Sequence, residues 1–254
     1  MLVVTTIPAY NEEKTLGGVI AEIKEVMDKT HYKYKILVVD DGSVDSTSIV
    51  AKKAGAVVVS KRHSGLLDTF KREMKEVLRL KADIIVHTDA DGQYPAEFIP
   101  YLIREVDTGN DLVIGSRFAG EIEYMPWLKH LGNRAFARVF TEICKTPITD
   151  STTGFRAFTR EVAEEIEYST SFTYTHEQLI KAARLGFSIT EIPIHARKTR
   201  ESRLMKGAFD YAFKAWINLL RLYRDYRPLA FFGKLGVVFI TFGTLIGLYI
   251  VYTI

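Results

Sequence analysis

Five short runs of β-branched and other apolar residues alternate with longer stretches whose apolar residues recur at helical spacing. The runs are Leu2 to Ile7, Ile36 to Val39, Ala56 to Val59, Ile84 to Val86 and Leu112 to Ile114. The intervening stretches are Glu12 to Met27, Ser46 to Ala54, Leu66 to Leu80 and Ala96 to Val106. Strands that are apolar on both faces need cover on both faces, so this alternation predicts a mostly parallel sheet flanked by helices. Such sheets bind ligands in the crevice beyond the carboxyl ends of their strands. The polar clusters fall at those ends: Tyr10 to Glu13, Asp40 to Asp45, Asp89 to Gln93, and Ser116 with Arg117. Beyond Arg117 the spacing predicts a helix at Leu128 to Ile143, a strand at Gly154 to Phe158, a helix at His176 to Leu185 and a strand at Ser188 to Ile194.

The last part of the chain has another character. From Leu235 to Ile254 twenty positions carry no charge, and at about 1.5 Å per residue they span the roughly 30 Å hydrocarbon core of a bilayer. A buried core helix is the competing reading, although core helices seldom stay apolar on every face for so long. Before this segment Phe209, Phe213, Trp216, Leu220 and Tyr223 share one helical stripe, while Asp210, Lys214, Arg221 and Arg224 lie elsewhere. That is an amphipathic helix suited to the bilayer interface or to packing on the domain. Residues 197–234 hold ten Lys or Arg against three acids, which attracts anionic headgroups and places this flank in the cytoplasm. The expected division is a cytosolic catalytic domain at 1–205, an amphipathic juxtamembrane helix at 206–228 and a transmembrane helix at 229–254.

Overall charge excludes a polycation built to coat nucleic acid, since Lys plus Arg exceeds Asp plus Glu by only 34 to 31. Cys144 is the single cysteine, which excludes an internal disulfide and a four-cysteine zinc site. The N-terminus reads as a first strand, without the basic segment and cleavage site of a signal peptide.

Asp89 and Asp91 stand two apart after the fourth apolar run. On extended backbone side chains two apart point to one side, so the carboxylates converge, and bare they repel. A hard divalent cation takes carboxylate and phosphate oxygens together. The alternative is an aspartate-rich turn whose carboxylates cap backbone amides. Asp45 is placed to cap the helix that follows it. Asp41 is the better candidate for gripping a base or ribose, with Tyr10 to stack on a base and Glu12 to accept from a sugar hydroxyl or serve as a first-turn acid.

The segments "IPAYNEE", "VVDDGSVDST", "DADGQYP", "GSR" and "DSTTGFRAF", in that order and spacing over Leu2 to Lys206, resemble the family 2 glycosyltransferases of GT-A (Rossmann-like) fold. The closest resemblance is to the branch that moves a sugar from a nucleotide diphosphate to polyprenyl (dolichyl) phosphate. It implies that Pro8, Tyr10, Glu12 and Asp41 hold the nucleoside, that Asp89, Ala90 and Asp91 contact the nucleotide, and that Asp89, Asp91 and Gln93 bind Mg²⁺ or Mn²⁺ with the diphosphate. It also implies acceptor-phosphate contacts at Arg117 and Lys129. The chain departs from the family at Thr69 and Glu73, where small residues are common.

A phosphate monoester, with a second pKa of about 6, needs no strong general base. It does need cations, which Arg117, Lys129, Arg134, Arg197, Arg200 and Arg203 offer. Asp150 would be the general base for a hydroxyl acceptor; with a phosphate it orients Arg156 or another cation. The catalytic set is therefore Asp89, Asp91, Asp150 and Arg117. The expectation is an inverting, metal-dependent hexosyltransferase using a UDP- or GDP-linked hexose and polyprenyl phosphate, anchored in the cell membrane with its catalytic domain facing the cytoplasm. The alternatives are transfer to the hydroxyl of a lipid-linked sugar or diacylglycerol, and a non-catalytic nucleotide-sugar-binding subunit.

Overall fold

The computed structural model describes residues 1–122, 127–168, 174–198, 217, 220, 221 and 223–253, with the side chains of 122–129 outside that set. The residues fall into two compact units, Met1–Glu201 and Ser202–Ile254.

In the first unit seven strands form one sheet in the order β3-β2-β1-β4-β6-β5-β7. They are β1 (Leu2–Ala9), β2 (Lys33–Asp40), β3 (Val57–Ser60), β4 (Ile84–His87), β5 (Leu112–Ile122), β6 (Arg156–Thr159) and β7 (Ile189–Ala196). The helices are α1 (Leu16–Met27), α2 (Thr47–Lys53), α3 (Leu66–Arg79), α4 (Ile99–Asp107), α5 (Trp127–Cys144), α6 (Arg160–Glu165) and α7 (Tyr174–Leu185). Covering helices explain why β1 and β4 are buried along nearly their whole length. Helix α1 meets the sheet through Leu16, Ile20, Ile23 and Met27, an apolar stripe at helical period.

Register, more than composition, builds the crevice. Strand β1 pairs in parallel with β2 up to Ala9 opposite Asp40, and with β4 up to Thr6 opposite His87. The residues that follow each strand therefore leave the sheet at one edge. Pro8 lies beyond the β4 ladder, where a missing N–H is tolerated. At Asn11 the backbone turns through φ 54°, and α1 begins only at Leu16, after a turn in which Glu12 O accepts from Leu16 N at 3.0 Å.

Two features depart from the sequence-based expectation. Strand β6 runs antiparallel to both β4 and β5, so the sheet is mixed on that side. Strand β5 continues to Ile122 rather than ending at Ile114, with its register against β7 shifting between Ser116 and Glu121. The irregularity interrupts the period-2 pattern that sequence reading relies on. Its geometry depends on Gly120, where a Cβ would stand 2.2 Å from the carbonyl oxygen of Ile194. Helix α6 is an addition, capped by Thr159, whose hydroxyl accepts from Val162 N.

Among the described residues one helix, Pro228–Thr253 in the second unit, is long and apolar enough to cross a membrane, and none of its residues is buried. Its 26 residues extend about 39 Å at 1.5 Å each. The hydroxyls of Thr241 and Thr244 donate to the carbonyls of Val237 and Ile240 at 2.8 Å, which satisfies them inside the helix as lipid demands. Most of the amphipathic segment expected at 206–228 lies outside the described residues; Ile217, Leu220, Arg221 and residues 223–226 within it are helical.

Gly120→Ala is expected to lower the stability of the full chain by about 3 kcal/mol, because the clash is with backbone that cannot rotate away. A thermal melt followed by near-ultraviolet circular dichroism in detergent measures it.

Candidate active site

The first wall of the crevice is the turn after β1 and the segment after β2. The Glu12 amide donates to Thr47 Oγ1 at 2.8 Å, and Glu12 Oε2 accepts from the Thr15 hydroxyl at 3.1 Å. The N-cap of α2 is Ser46 and not Asp45 as expected; Asp45, one residue earlier, accepts from the amide of Thr47 at 2.9 Å in an Asx turn. Tyr10, 40% exposed, stacks on His63 with ring centroids 4.3 Å apart.

Asp41 is nearly buried and heavily engaged. Its carboxylate accepts from the amides of Ser64 at 3.0 Å and Gly65 at 2.9 Å, pairs with Lys61, and lies 2.9 Å from His63 Nδ1. Burial pushes this carboxyl up, but Lys61 and the two amides outweigh it and hold it below the ordinary range. Asp41 thus fixes the segment Lys61–Gly65 beside the end of β2.

At the end of β4, Asp89 and Asp91 are half-buried and Ala90 buried. Asp91 Oδ1 accepts from the amide of the half-exposed Gln93 at 3.0 Å. Burial is the main influence on Asp89, and with the like charge of Asp91 it outweighs His87 and Arg117 to push the carboxyl up to about 6. Among the described residues no group of three His, Cys, Asp or Glu gathers to hold a metal. Asp89 and Asp91 are hard oxygen donors of the kind a divalent cation takes together with the oxygens of a bound polyanion. Gly154 belongs to this corner. A Cβ there would meet Tyr174 Oη at 3.0 Å and Asp89 Oδ1 at 3.2 Å, so glycine makes room for the carboxylate.

The opposite wall is cationic. Arg117, in the irregular part of β5, donates through Nε to Asp150 Oδ2 at 2.7 Å and through Nη2 to Asp150 Oδ1 at 3.0 Å and Thr152 Oγ1 at 2.8 Å. Arg117 is the cation that Asp150 orients. Arg156 is buried and turns elsewhere, donating to the carbonyls of Ser151, Thr153 and Thr175 at 3.1, 2.9 and 2.7 Å and to Gln178 Oε1 at 3.2 Å. Burial would push Asp150 up; the Arg117 guanidinium overcomes it and holds the carboxyl below the ordinary carboxylate range.

Of the other expected cations, Arg134 and Arg197 are among the described residues. Arg134 stands exposed on α5, and Arg197 turns to Glu22 of α1 at 2.9 Å. The side chain of Lys129 and the whole of Arg200 and Arg203 lie outside the described residues. Sequence reasoning missed the role of Glu73. It is fully buried on α3, with Oε2 3.2 Å from Nε2 of the buried His87, while His87 Nδ1 lies 2.9 Å from the carbonyl oxygen of Gly154. Burial alone would push His87 down, yet the adjacent Glu73 carboxylate raises it. A carboxylate on the apolar face of α3, beside Phe70 and Val77, was the available signal.

This geometry defines a crevice that pairs an acidic end, Asp89 and Asp91, with a buried arginine. The family model for glycosyl transferase family 2 matches residues 5–167. The chain belongs to that family and is a glycosyltransferase. It is 35% identical over 189 residues to a dolichyl-phosphate hexose transferase of Haloferax volcanii, covering 74% of this chain and 80% of the relative. It is 30% identical over 201 residues to a polyprenol monophosphomannose synthase of Mycolicibacterium smegmatis, covering 74% of each. In fold it is similar to glucosyl-3-phosphoglycerate synthase from Mycobacterium tuberculosis, solved with Mn²⁺, UDP and phosphoglyceric acid. The TM-score is 0.68 at 23% identity, over 87% of this chain and 78% of that one. The mixed sheet with its polar crevice is thus the GT-A fold.

Asp150→Asn removes the charge that Arg117 is buried against and is expected to cost about 3–5 kcal/mol at neutral pH. An acid whose folded-state pKa is depressed contributes stability that is complete above its unfolded value, about 3.9, and lost as pH falls through the folded value. Denaturant melts at stepped pH should therefore show the deficit of the variant shrinking below about pH 4.

Proposed function

We propose that this glycosyltransferase moves a hexose, with inversion, from a nucleotide diphosphate sugar to polyprenyl phosphate at a membrane surface. One observation carries the choice of acceptor: Asp150, the residue placed to act as a general base, is committed through both oxygens to Arg117 and held below the ordinary carboxylate range. Such a carboxylate is a poor proton acceptor, and a hydroxyl acceptor needs a good one. A phosphate monoester, with a second pKa of about 6, brings its own ionised oxygen and needs a cation beside it. Arg117 is that cation. The names of the two relatives, a dolichyl-phosphate and a polyprenol-phosphate enzyme, support the same acceptor.

The donor's base lies against Tyr10, with Pro8, Glu12 and Asp41 closing the nucleoside pocket. Asp89, Ala90 and Asp91 meet the diphosphate. Asp89, Asp91 and Gln93 would hold Mg²⁺ or Mn²⁺, which would supply charge neutralisation for the departing diphosphate. Arg117 aligns the acceptor phosphate behind the anomeric carbon. A phosphate oxygen forms its bond to that carbon while the bond to the diphosphate oxygen breaks, the electron pair leaving with the nucleotide. Lys129, Arg134, Arg200 and Arg203 are proposed as further contacts for the acceptor headgroup. The helix Pro228–Thr253 anchors the chain, with the Arg-rich stretch before it and the catalytic unit on the cytoplasmic side.

The test supplies the full-length protein in detergent with radiolabelled UDP- or GDP-linked hexoses, Mn²⁺ or Mg²⁺, and polyprenyl phosphate. The expected product is organic-extractable and acid-labile, and it forms with one of the donors. A chelator or the substitution Asp91→Asn should lower its rate by about a hundredfold or more. Label passing to a lipid-linked sugar or diacylglycerol in place of polyprenyl phosphate would reject the acceptor.

A further inference from the structure

Glu191 on β7 lies opposite Ile114 of β5 in the sheet register. Its carboxylate collects four donor contacts from one short segment. Both oxygens accept from the amide of Thr149 at 2.9 Å, Oε1 also from the amide of Asp150 at 3.1 Å, and Oε2 from the Thr149 hydroxyl at 2.6 Å. The Thr149 hydroxyl also lies 2.5 Å from Ser116 Oγ, and Ser116 Oγ accepts from the amide of Ala119 at 3.1 Å. A hydroxyl has one proton to give. Since that of Thr149 goes to Glu191, Ser116 must donate to Thr149, and the direction of every bond follows: Ala119 amide to Ser116, Ser116 to Thr149, Thr149 to the carboxylate.

We infer that Glu191 is a positioning residue that sets the placement of the Arg117–Asp150 pair from outside the crevice. It holds the backbone amide of Asp150 directly and, through Thr149, the residue preceding Arg117. The two halves of the ion pair come from segments far apart in sequence, and one carboxylate joins both. Every neighbour of Glu191 in this set donates, so only the ionised acid satisfies them. Glutamine would turn an NH₂ group toward an N–H or O–H.

The test uses the full-length protein, with Glu191→Gln, Thr149→Val and Thr149→Ser compared with the wild type. Without substrate, the Arg117 Nε–H resonance in nitrogen-15 NMR reports the ion pair. With substrates, whose identity rests on the transfer proposed above, kcat and KM for polyprenyl phosphate are measured beside the Kd of the nucleotide diphosphate. Glu191→Gln and Thr149→Val should move or broaden the Arg117 resonance. They should also lower kcat/KM for the acceptor by about ten- to a hundredfold, the scale of a displaced positioning group, with the nucleotide Kd unchanged. Thr149→Ser, which keeps the hydroxyl, should restore both readings. An unmoved Arg117 resonance overturns the inference, as does equal loss of nucleotide and acceptor affinity, or a fall in Tm shared alike by Thr149→Val and Thr149→Ser. A moved resonance in a protein that transfers nothing to polyprenyl phosphate sustains the anchoring role of Glu191 and rejects the acceptor.

Discussion

One lateral row of the sheet organises the crevice. Thr6 of β1 stands opposite His87 of β4, His87 opposite Arg156 of β6, Arg156 opposite Ile114 of β5, and Ile114 opposite Glu191 of β7. Three members of that row, His87, Arg156 and Glu191, each grip the segment 149–154. His87 Nδ1 reaches the carbonyl of Gly154, Arg156 donates to the carbonyls of Ser151 and Thr153, and Glu191 accepts from the amides of Thr149 and Asp150. A loop left to itself would sample many conformations at a cost of about 1–2 kcal/mol per residue to fix. Here hydrogen bonds from rigid strands do the fixing, so the buried pair that this segment carries is preorganised.

The charges follow a consistent logic. At one end burial and the like charge of Asp91 raise Asp89 against the opposing charges of His87 and Arg117. At the other, Arg117 is buried against a single carboxylate that takes two of its donor groups. Such pairs gain little over apolar packing. What this one achieves is to hold a guanidinium at a defined place beside Asp89, whose ionisation its charge favours. A group that must stabilise incoming or departing phosphate has to be in position before the ligand arrives.

The segment after β2 shows a related economy of placement. Asp41 ties down Lys61, Ser64 and Gly65 through one carboxylate. The buried Glu73 lies 3.2 Å from His87 Nε2, and His87 Nδ1, donating to the Gly154 carbonyl, connects α3 to the same gripped segment.

The order of apolar runs and helical stretches was enough to read the parallel half of the sheet, the polar strand ends and the long uncharged helix. These depend on periodicity and length, which are local properties of a chain. The acidic pair was legible for the same reason, since its two members are neighbours in sequence. What required the tertiary structure was every relation between distant segments. Asp150 pairs with Arg117 and not with the nearer Arg156, Gly154 makes room for Asp89, Glu73 meets His87, and Glu191 reaches Thr149 across 42 positions. The bulge in β5 and the antiparallel β6 were hidden too, because register is decided by which backbone donors and acceptors find each other once the strands are packed. Residue types announced the chemistry available to this protein; only the fold chose the partners.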